Sequence, residues 1–367
     1  MKAAITSLSI PSLLSKNELT DLLRSSGANE RQLFARAAEI KQRYVGNKVY
    51  LRGLIELSNR CRKDCLYCGI RCSNRTVHRY DLDYDRVMEA VRKAWRRGFG
   101  SVVIQSGERH SESFIRKIEM IVRETKQLSN GELAITLSCG EQHGDTYRRW
   151  FENGADRYLL RIETASEALY KKLHPQDGKH SFSQRMKALE QLDKIGYQVG
   201  TGVMIGLPFQ TPEMLADDLL FMKRIDIDMC GMGPYLEHPD TPLYAFRDQL
   251  LPPERRFNLG LKMVALLRLL MPDINIAATT ALQTLDPEGR EKAIAVGANV
   301  LMPNITPPKE RKAYLLYENK PLFAEDDEEE LARWEQRLRA MGQQIGYHLP
   351  GNSAHYLPLQ RPHGDRP

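Results

Sequence analysis

The stretch VYLRGLIELSNRCRKDCLYCGIRC, residues 49 to 72, joins an apolar run to a loop carrying Cys61, Cys65, Cys68 and Cys72. Residues 49–58 read as a buried strand, and the polar turn after them opens directly into the cysteines. The chain has six cysteines, so this loop holds most of its thiols. Two chemistries fit four thiols on one loop. Either they close around a zinc ion, or three hold an iron–sulfur cluster and one is left over.

Structural zinc commonly takes two close pairs of ligands separated by a longer loop. Here all four cysteines fall at spacings x3, x2 and x3. Three thiolates on a 4Fe-4S cluster would leave one iron open to a small ligand. Spacing alone leaves zinc as an alternative, and Cys72 is either a free thiol or a fourth ligand. Cys139 and Cys230 read as small buried hydrophobes.

Outward from the loop, the chain repeats a short apolar run, a polar turn and a helical period. The strand candidates are residues 49–58, 101–108, 133–141, 158–164, 198–208, 228–237, 274–282 and 299–307. Eight strands alternating with helices predict a parallel sheet and the count of a complete (β/α)8 TIM barrel, α/β in class. A doubly wound open sheet is the rival, but no glycine fingerprint supports it. The organisation expected is an N-terminal helical extension over 1–48, the barrel over 49–320, and a C-terminal helix with a disordered tail over 321–367. In a barrel the site lies at the carboxyl ends of the strands. Those ends here carry SGE, SCGE, RIET, GLP, ATTA and MPNITP, all small, polar or charged.

Composition narrows the function classes. The 367 residues are 42% hydrophobic and 27% charged, which suits a folded globular chain. No apolar run approaches the roughly 18 residues that span a bilayer. The net charge is +6, with basic residues dispersed over helical stretches and no basic block interleaved with aromatics, so neither nucleic acid nor membrane is expected as a partner. Clustered cysteines without an export signal predict a reducing, cytoplasmic setting and a metal centre.

C-x3-C-x2-C resembles the radical S-adenosylmethionine (SAM) signature, and Tyr67 matches the aromatic beside the SAM adenine. Ser106, Gly107 and Glu108 resemble the turn that receives the SAM amino group. The segments GLIELSNRCRKDCLYCGIRCSN, QSGE, ITLSCGE, GADRYLLRIETA, MIGLPFQT, DMCGMGP, HPDTPL, PDINIAATTA and GANVLMPNITP look like the HydE-type radical SAM maturases of FeFe-hydrogenase. The resemblance runs from about Arg31 to about Tyr317. It implies a single 4Fe-4S cluster on Cys61, Cys65 and Cys68, and SAM lined by Ser106, Glu163, Arg185 and Met229. It also implies a deeper substrate cavity lined by Arg52, Thr136, Arg157, Arg161, Thr279, Thr280, Met302 and Tyr314.

An arginine inside a strand is costly unless it meets an anion, and Arg52 and Arg161 both sit in apolar runs. A buried ion pair with a strand carboxylate is the plain alternative for each. Two arginines with threonines and a tyrosine suit a small anionic or organometallic substrate. The implied partners are that substrate, an electron donor and other hydrogenase maturases.

The chain departs from the family pattern in having no cysteine over 303–367, so a second cluster is not expected, and in having Ile162 where some members have His. A methylornithine synthase-like lysine mutase shares the barrel and loop and remains an enzyme alternative. A non-catalytic iron–sulfur scaffold is the alternative of another class, though it would not need Glu163 and Arg185.

Overall fold

The computed structural model describes residues 14–321 and 328–356. Two helices open it, α1 (Lys16–Arg24) and α2 (Ala28–Tyr44). The first starts at a capping box, with the Ser15 hydroxyl accepting from the Glu18 amide while the Glu18 carboxylate returns to the Ser15 amide. Strands then alternate with helices: β1 (Lys48–Ser58), α3 (Tyr84–Arg96), β2 (Ser101–Ser106), α4 (Glu112–Leu128), β3 (Ala134–Ser138), α5 (Gly144–Glu152) and β4 (Arg157–Leu159). After α6 (Glu167–Leu173) and α7 (Phe182–Ile195) come β5 (Gln198–Thr201), β6 (Met204–Ile205), α8 (Pro212–Arg224), β7 (Met229–Cys230) and β8 (Gly233–Pro234). A 3-10 helix (Pro242–Gln249), α9 (Pro253–Leu270), β9 (Asn275–Ile276), α10 (Thr280–Leu285), α11 (Gly289–Ala295), β10 (Val300–Leu301) and α12 (Pro308–Arg311) complete this part. The chain resumes with α13 (Glu328–Ala340) and β11 (Gln344–Ile345).

Eight parallel strands form one curled sheet in the order β10-β1-β2-β3-β4-β5-β7-β9. Each of the eight apolar runs contributes one of them. The fifth and sixth runs are interrupted: β6 and β8 continue β5 and β7 but pair only with each other. The break sits at Gly202 and Gly231. A Cβ on Gly202 would lie 2.1 Å from the Gly231 carbonyl oxygen, so no side chain fits between these backbones. The seventh run also ends early, because helix α10 starts at Thr280 inside the stretch read as strand.

Helices cover the sheet, and their capping signals are legible. Asp83, Ser111, Ser166, Ser181 and Thr211 each accept from a first-turn amide of the helix they precede. The strands are buried on both faces, as a covered parallel sheet requires.

The C-terminal segment differs from the expectation of a disordered tail. Strand β11 pairs in parallel with Lys48 and Val49 at the start of β1, and the residues after it run under the amino ends of the strands. Polar groups hold them there as far as Tyr356, whose hydroxyl donates to the Gly196 carbonyl. Residues 357–367 of that expectation, and the start of the helix read from 325, lie outside the described residues.

Candidate active site

The cysteine loop lies at the carboxyl end of β1. Cys61, Cys65 and Cys68 are partly buried, whereas Cys72 is exposed. The loop is tied down by backbone bonds, Cys72 N to Lys63 O at 2.8 Å and Leu66 N to Leu173 O at 3.0 Å. Burial raises all three inner thiols: Cys61 goes up, Cys65 reaches about 12 with help from Cys61, and Cys68 rises through its burial and its two neighbours. Three mutually interacting thiols held against ionisation are a donor set that a bound cationic cluster would relieve. Among the described residues, no three Cys, His, Asp or Glu side chains converge on a point that one metal ion could fill.

The turn after β2 presses on this loop. A Cβ on Gly107 would lie 2.5 Å from the Arg60 carbonyl oxygen and 2.8 Å from the Cys61 Cβ, so glycine is required there. The Glu108 amide donates to Cys61 Sγ at 3.3 Å. Glu108 Oε2 accepts from the Glu141 amide at 2.8 Å, but Oε1 is buried with no hydrogen bond. Lys63, His110 and Arg62 stand 3.5, 3.6 and 3.8 Å from that oxygen. A buried carboxylate oxygen left open at such a place suits an ammonium donor from a ligand. The Ser106 hydroxyl is buried beside it and donates to the Gly107 carbonyl at 2.9 Å.

Charged groups from β3 to β5 complete the mouth. Glu163 has φ +68°, unusual for a residue with a Cβ, and strain of this kind gathers at functional sites. Arg161 clamps its carboxylate, with Nε at 3.0 Å from both oxygens and Nη2 at 2.9 Å from Oε2. Burial pulls the Arg161 pKa down, but Glu163 more than offsets this and leaves it raised. Arg185 donates through Nε to Glu141 Oε1 and through Nη1 to the Arg161 carbonyl. Its burial is likewise outweighed, chiefly by Glu141. Lys63 Nζ reaches Glu141 Oε2 at 3.0 Å. Tyr67 turns its hydroxyl toward His174 Nε2 at 3.4 Å, and burial lowers His174 to about 3, so that ring is neutral.

The residues implied for the deep cavity separate into groups. Arg52, Thr136, Met229 and Met302 line one small cavity inside the sheet. Met229, implied for SAM, accepts from Arg52 Nη1 at its sulfur, 3.1 Å away. Arg52 Nε and Thr136 Oγ1 are buried without hydrogen bonds. Burial, then the neighbouring Arg157, push Arg52 down, and burial brings Arg157 to about 10. Thr279 also holds a buried, unbonded hydroxyl, whereas Thr280 accepts from Arg290 at 2.7 Å. Tyr314 is buried elsewhere, its ring 6.5 Å from Tyr80 and beside Lys320, which pairs with buried Glu56. Arg161 is not with Arg52; it takes the ion pair that was its plain alternative. Sequence reasoning missed Lys63, Glu141 and His174, which look like ordinary loop residues until the fold brings them to the mouth.

A radical SAM superfamily model matches residues 55–222. The FeFe hydrogenase maturase subunit HydE of Thermotoga maritima is 46% identical over 305 residues, covering 83% of this chain and 84% of that protein. The chain belongs to the HydE family of radical SAM enzymes. A 3-methylornithine synthase from Methanosarcina acetivorans is 29% identical over 296 residues, 78% of this chain and 79% of the relative. The crystal structure of a methylornithine synthase superposes with a TM-score of 0.77 at 27% identity, covering 91% of this chain and 95% of the other. Radical SAM proteins bind a 4Fe-4S cluster and SAM. The three inner thiols and the open Glu108 oxygen fit both.

Proposed function

We propose that this protein is a cytoplasmic radical SAM enzyme acting in assembly of the di-iron subcluster of FeFe-hydrogenase, with Cys61, Cys65 and Cys68 as its cluster ligands. The observation that carries the reading is the convergence of that loop with Glu108, Glu163 and Arg185 at the carboxyl ends of the strands. The maturase is preferred to the mutase because identity is 46% against 29% over similar spans. Cys61, Cys65 and Cys68 would hold the 4Fe-4S cluster, which in its reduced state would supply the one electron that reductive cleavage of bound SAM requires.

The protein's own groups bind and orient. Ser106 and the open Glu108 oxygen take the SAM ammonium, and Arg185 takes its carboxylate. Tyr67, held by His174, flanks the adenine. Glu163 and Arg161 shape the wall between SAM and the inner cavity. There Arg52, Thr136, Met229 and Met302, with Arg157 and Thr279 nearby, hold a small anionic or organometallic substrate, and their unbonded donors support an anion as occupant. Tyr314, beside Lys320 and Glu56, and Thr280, bonded to Arg290, stand apart from this small cavity. An electron donor and other hydrogenase maturases are the transient partners.

We also infer that the sheet closes into a complete barrel. A parallel bridge between Ala277 and Val300, with Asn299 N donating to Ile276 O and Ala278 N to Val300 O, both at 2.9 Å, supports a β9–β10 seam.

The test is anaerobic reconstitution followed by incubation with SAM and dithionite. Replacing Cys61, Cys65 or Cys68 by Ala should abolish the 4Fe-4S absorption and 5′-deoxyadenosine release, while Cys72→Ala keeps both. Loss of the cluster on Cys72→Ala, with stoichiometric zinc in the isolated protein, would refute the reading.

A further inference from the structure

The reaction just proposed consumes an electron, and the cysteines outside the inner loop offer no second cluster site to store one. Of the chain's six cysteines, three belong to the inner loop, Cys72 is exposed, and Cys139, just after β3, and Cys230, on β7, are buried apart. The electron therefore enters from another molecule, through surface close to the loop.

A groove on the described surface meets that condition. It holds about 520 Å³ between the cysteine loop, the start of α5 and the exposed face of α7. Its floor is the braced end of the loop itself. Arg62 follows Cys61 in sequence, its amide donates to the Glu108 carbonyl at 2.9 Å, and the Glu108 amide donates to Cys61 Sγ at 3.3 Å. From groove to thiol the path is two hydrogen bonds long.

The groove is electrostatically one-sided. Arg62, Lys179 and Lys187 line it with exposed cations, and His143 is exposed among them. The carboxylate in its lining, Glu141, is turned inward and consumed by Arg185 and Lys63. The acidic Asp177 beside it is bonded to His180. Three exposed cations from three separate segments make a positive field over a surface rather than a pocket for one small ion, and such fields steer oppositely charged proteins into contact.

We propose that this groove docks a small acidic redox protein carrying a one-electron flavin or iron–sulfur centre. The inference rests on the radical SAM reading above. In the encounter the donor is oxidised by one electron and the cluster on Cys61, Cys65 and Cys68 is reduced by one; no atoms transfer.

The experiment uses the reconstituted holoenzyme and reduced flavodoxin as probe, following cluster bleaching by anaerobic stopped-flow. In the parent, the rate should fall steeply with salt, since exposed charges lose their reach beyond a Debye length of about 10 Å at 0.1 M. The double charge reversal Lys179→Glu with Lys187→Glu should slow flavodoxin-driven reduction at low salt by about tenfold or more, in the range that steering supplies. The same variant should keep the parent's dithionite-driven 5′-deoxyadenosine release, and Lys179→Arg with Lys187→Arg should keep both rates. An unchanged flavodoxin rate in the reversed variant overturns the proposal. So does an equal loss with dithionite, which would mean a damaged site. Normal flavodoxin reduction with lost hydrogenase maturation would give the groove to a different protein and also overturn it. A parent that releases no 5′-deoxyadenosine with dithionite would instead sink the radical reading itself.

Discussion

The two ends of the sheet solve the same problem, buried positive charge, in opposite ways. At the carboxyl end three cations around the mouth have carboxylates: Arg161 has Glu163, Arg185 has Glu141, and Lys63 has Glu141 with Glu108 nearby. At the amino end the hydrogen bonds of Arg52 and Arg157 go only to neutral groups. Arg157 donates to the Pro350 carbonyl at 2.7 Å, to Asn352 and to Ser101, and Arg52 donates to the Gly351 carbonyl at 3.2 Å. The mouth is a network of ion pairs that an incoming zwitterion can rearrange, exchanging one partner for another. The floor is a positively charged cap held by backbone dipoles, with net charge left facing the cavity. The proposed function would account for the difference, since it asks one end to accept and release a charged cofactor and the other to stay shut around an anion.

The sharpest way to break this comparison is at Glu141. Both its partners are almost fully buried, Lys63 and Arg185 having side chains 5% and 9% exposed. Glu141→Gln removes one charge and leaves two cations without it, which costs about 3–5 kcal/mol for a buried pair that loses one partner. Urea unfolding of the apo protein should show that loss, and calorimetry should show weakened SAM binding as Arg185 loses its anchor. A loss below about 1 kcal/mol would place Glu141 among surface pairs and erase the contrast.

What could be read in advance follows the same division. The eight strands and the cysteine loop were legible because apolar runs and the x3, x2 spacing are local signals. The partner of Arg161 was only two residues away, yet a strand's alternation would send Arg161 and Glu163 to the same face without saying which ligand they meet. Nor does alternation announce the positive φ at which Glu163 meets that guanidinium. The floor was illegible. HLPGNSAHY has the proline, glycine and histidine content of a frayed end, and nothing local says that the Pro350 and Gly351 carbonyls lie under two arginines more than 190 residues away. Pairings that distant are fixed by topology, and composition cannot carry them.

The second test addresses the floor. Arg157→Met keeps most of the volume while removing the donors to Pro350, Asn352 and Ser101. The acceptors left behind are neutral, so the cost should be about 1–3 kcal/mol, smaller than at Glu141 because no charge is stranded. Hydrogen exchange should quicken over residues 350–356, while the reconstituted cluster keeps its absorption. If the cluster is lost as well, the two ends are coupled and cannot be treated as separate devices.

The smallest effect, and the one that tests the floor's own electrostatics, is at His355. Its Nε2 lies 2.9 Å from Asp226 Oδ1 and its Nδ1 3.1 Å from Asp273 Oδ1, so both ring nitrogens donate and the ring is an imidazolium. The bonds to Asp226 and Asp273 raise its pKa to about 10. A pKa raised on folding means that the stabilisation is complete below the unfolded value of about 6.5 and is lost as pH climbs from there through about 10. Asp228 close by is raised by burial to about 7, so whatever it contributes is lost at lower pH, between about 3.8 and 7, and the two windows separate. Asp226 is 64% exposed, so water screens the pair and the net effect should stay under about 1 kcal/mol. Hydrogen exchange at residues 353–356 should therefore show protection, corrected for the intrinsic rate, that declines from about pH 6.5 to about pH 10. His355→Gln should flatten that decline without touching SAM cleavage. Protection independent of pH in the parent would mean that the carbonyl bonds of Pro350 and Gly351 hold the tail alone, with the His355 clamp contributing nothing.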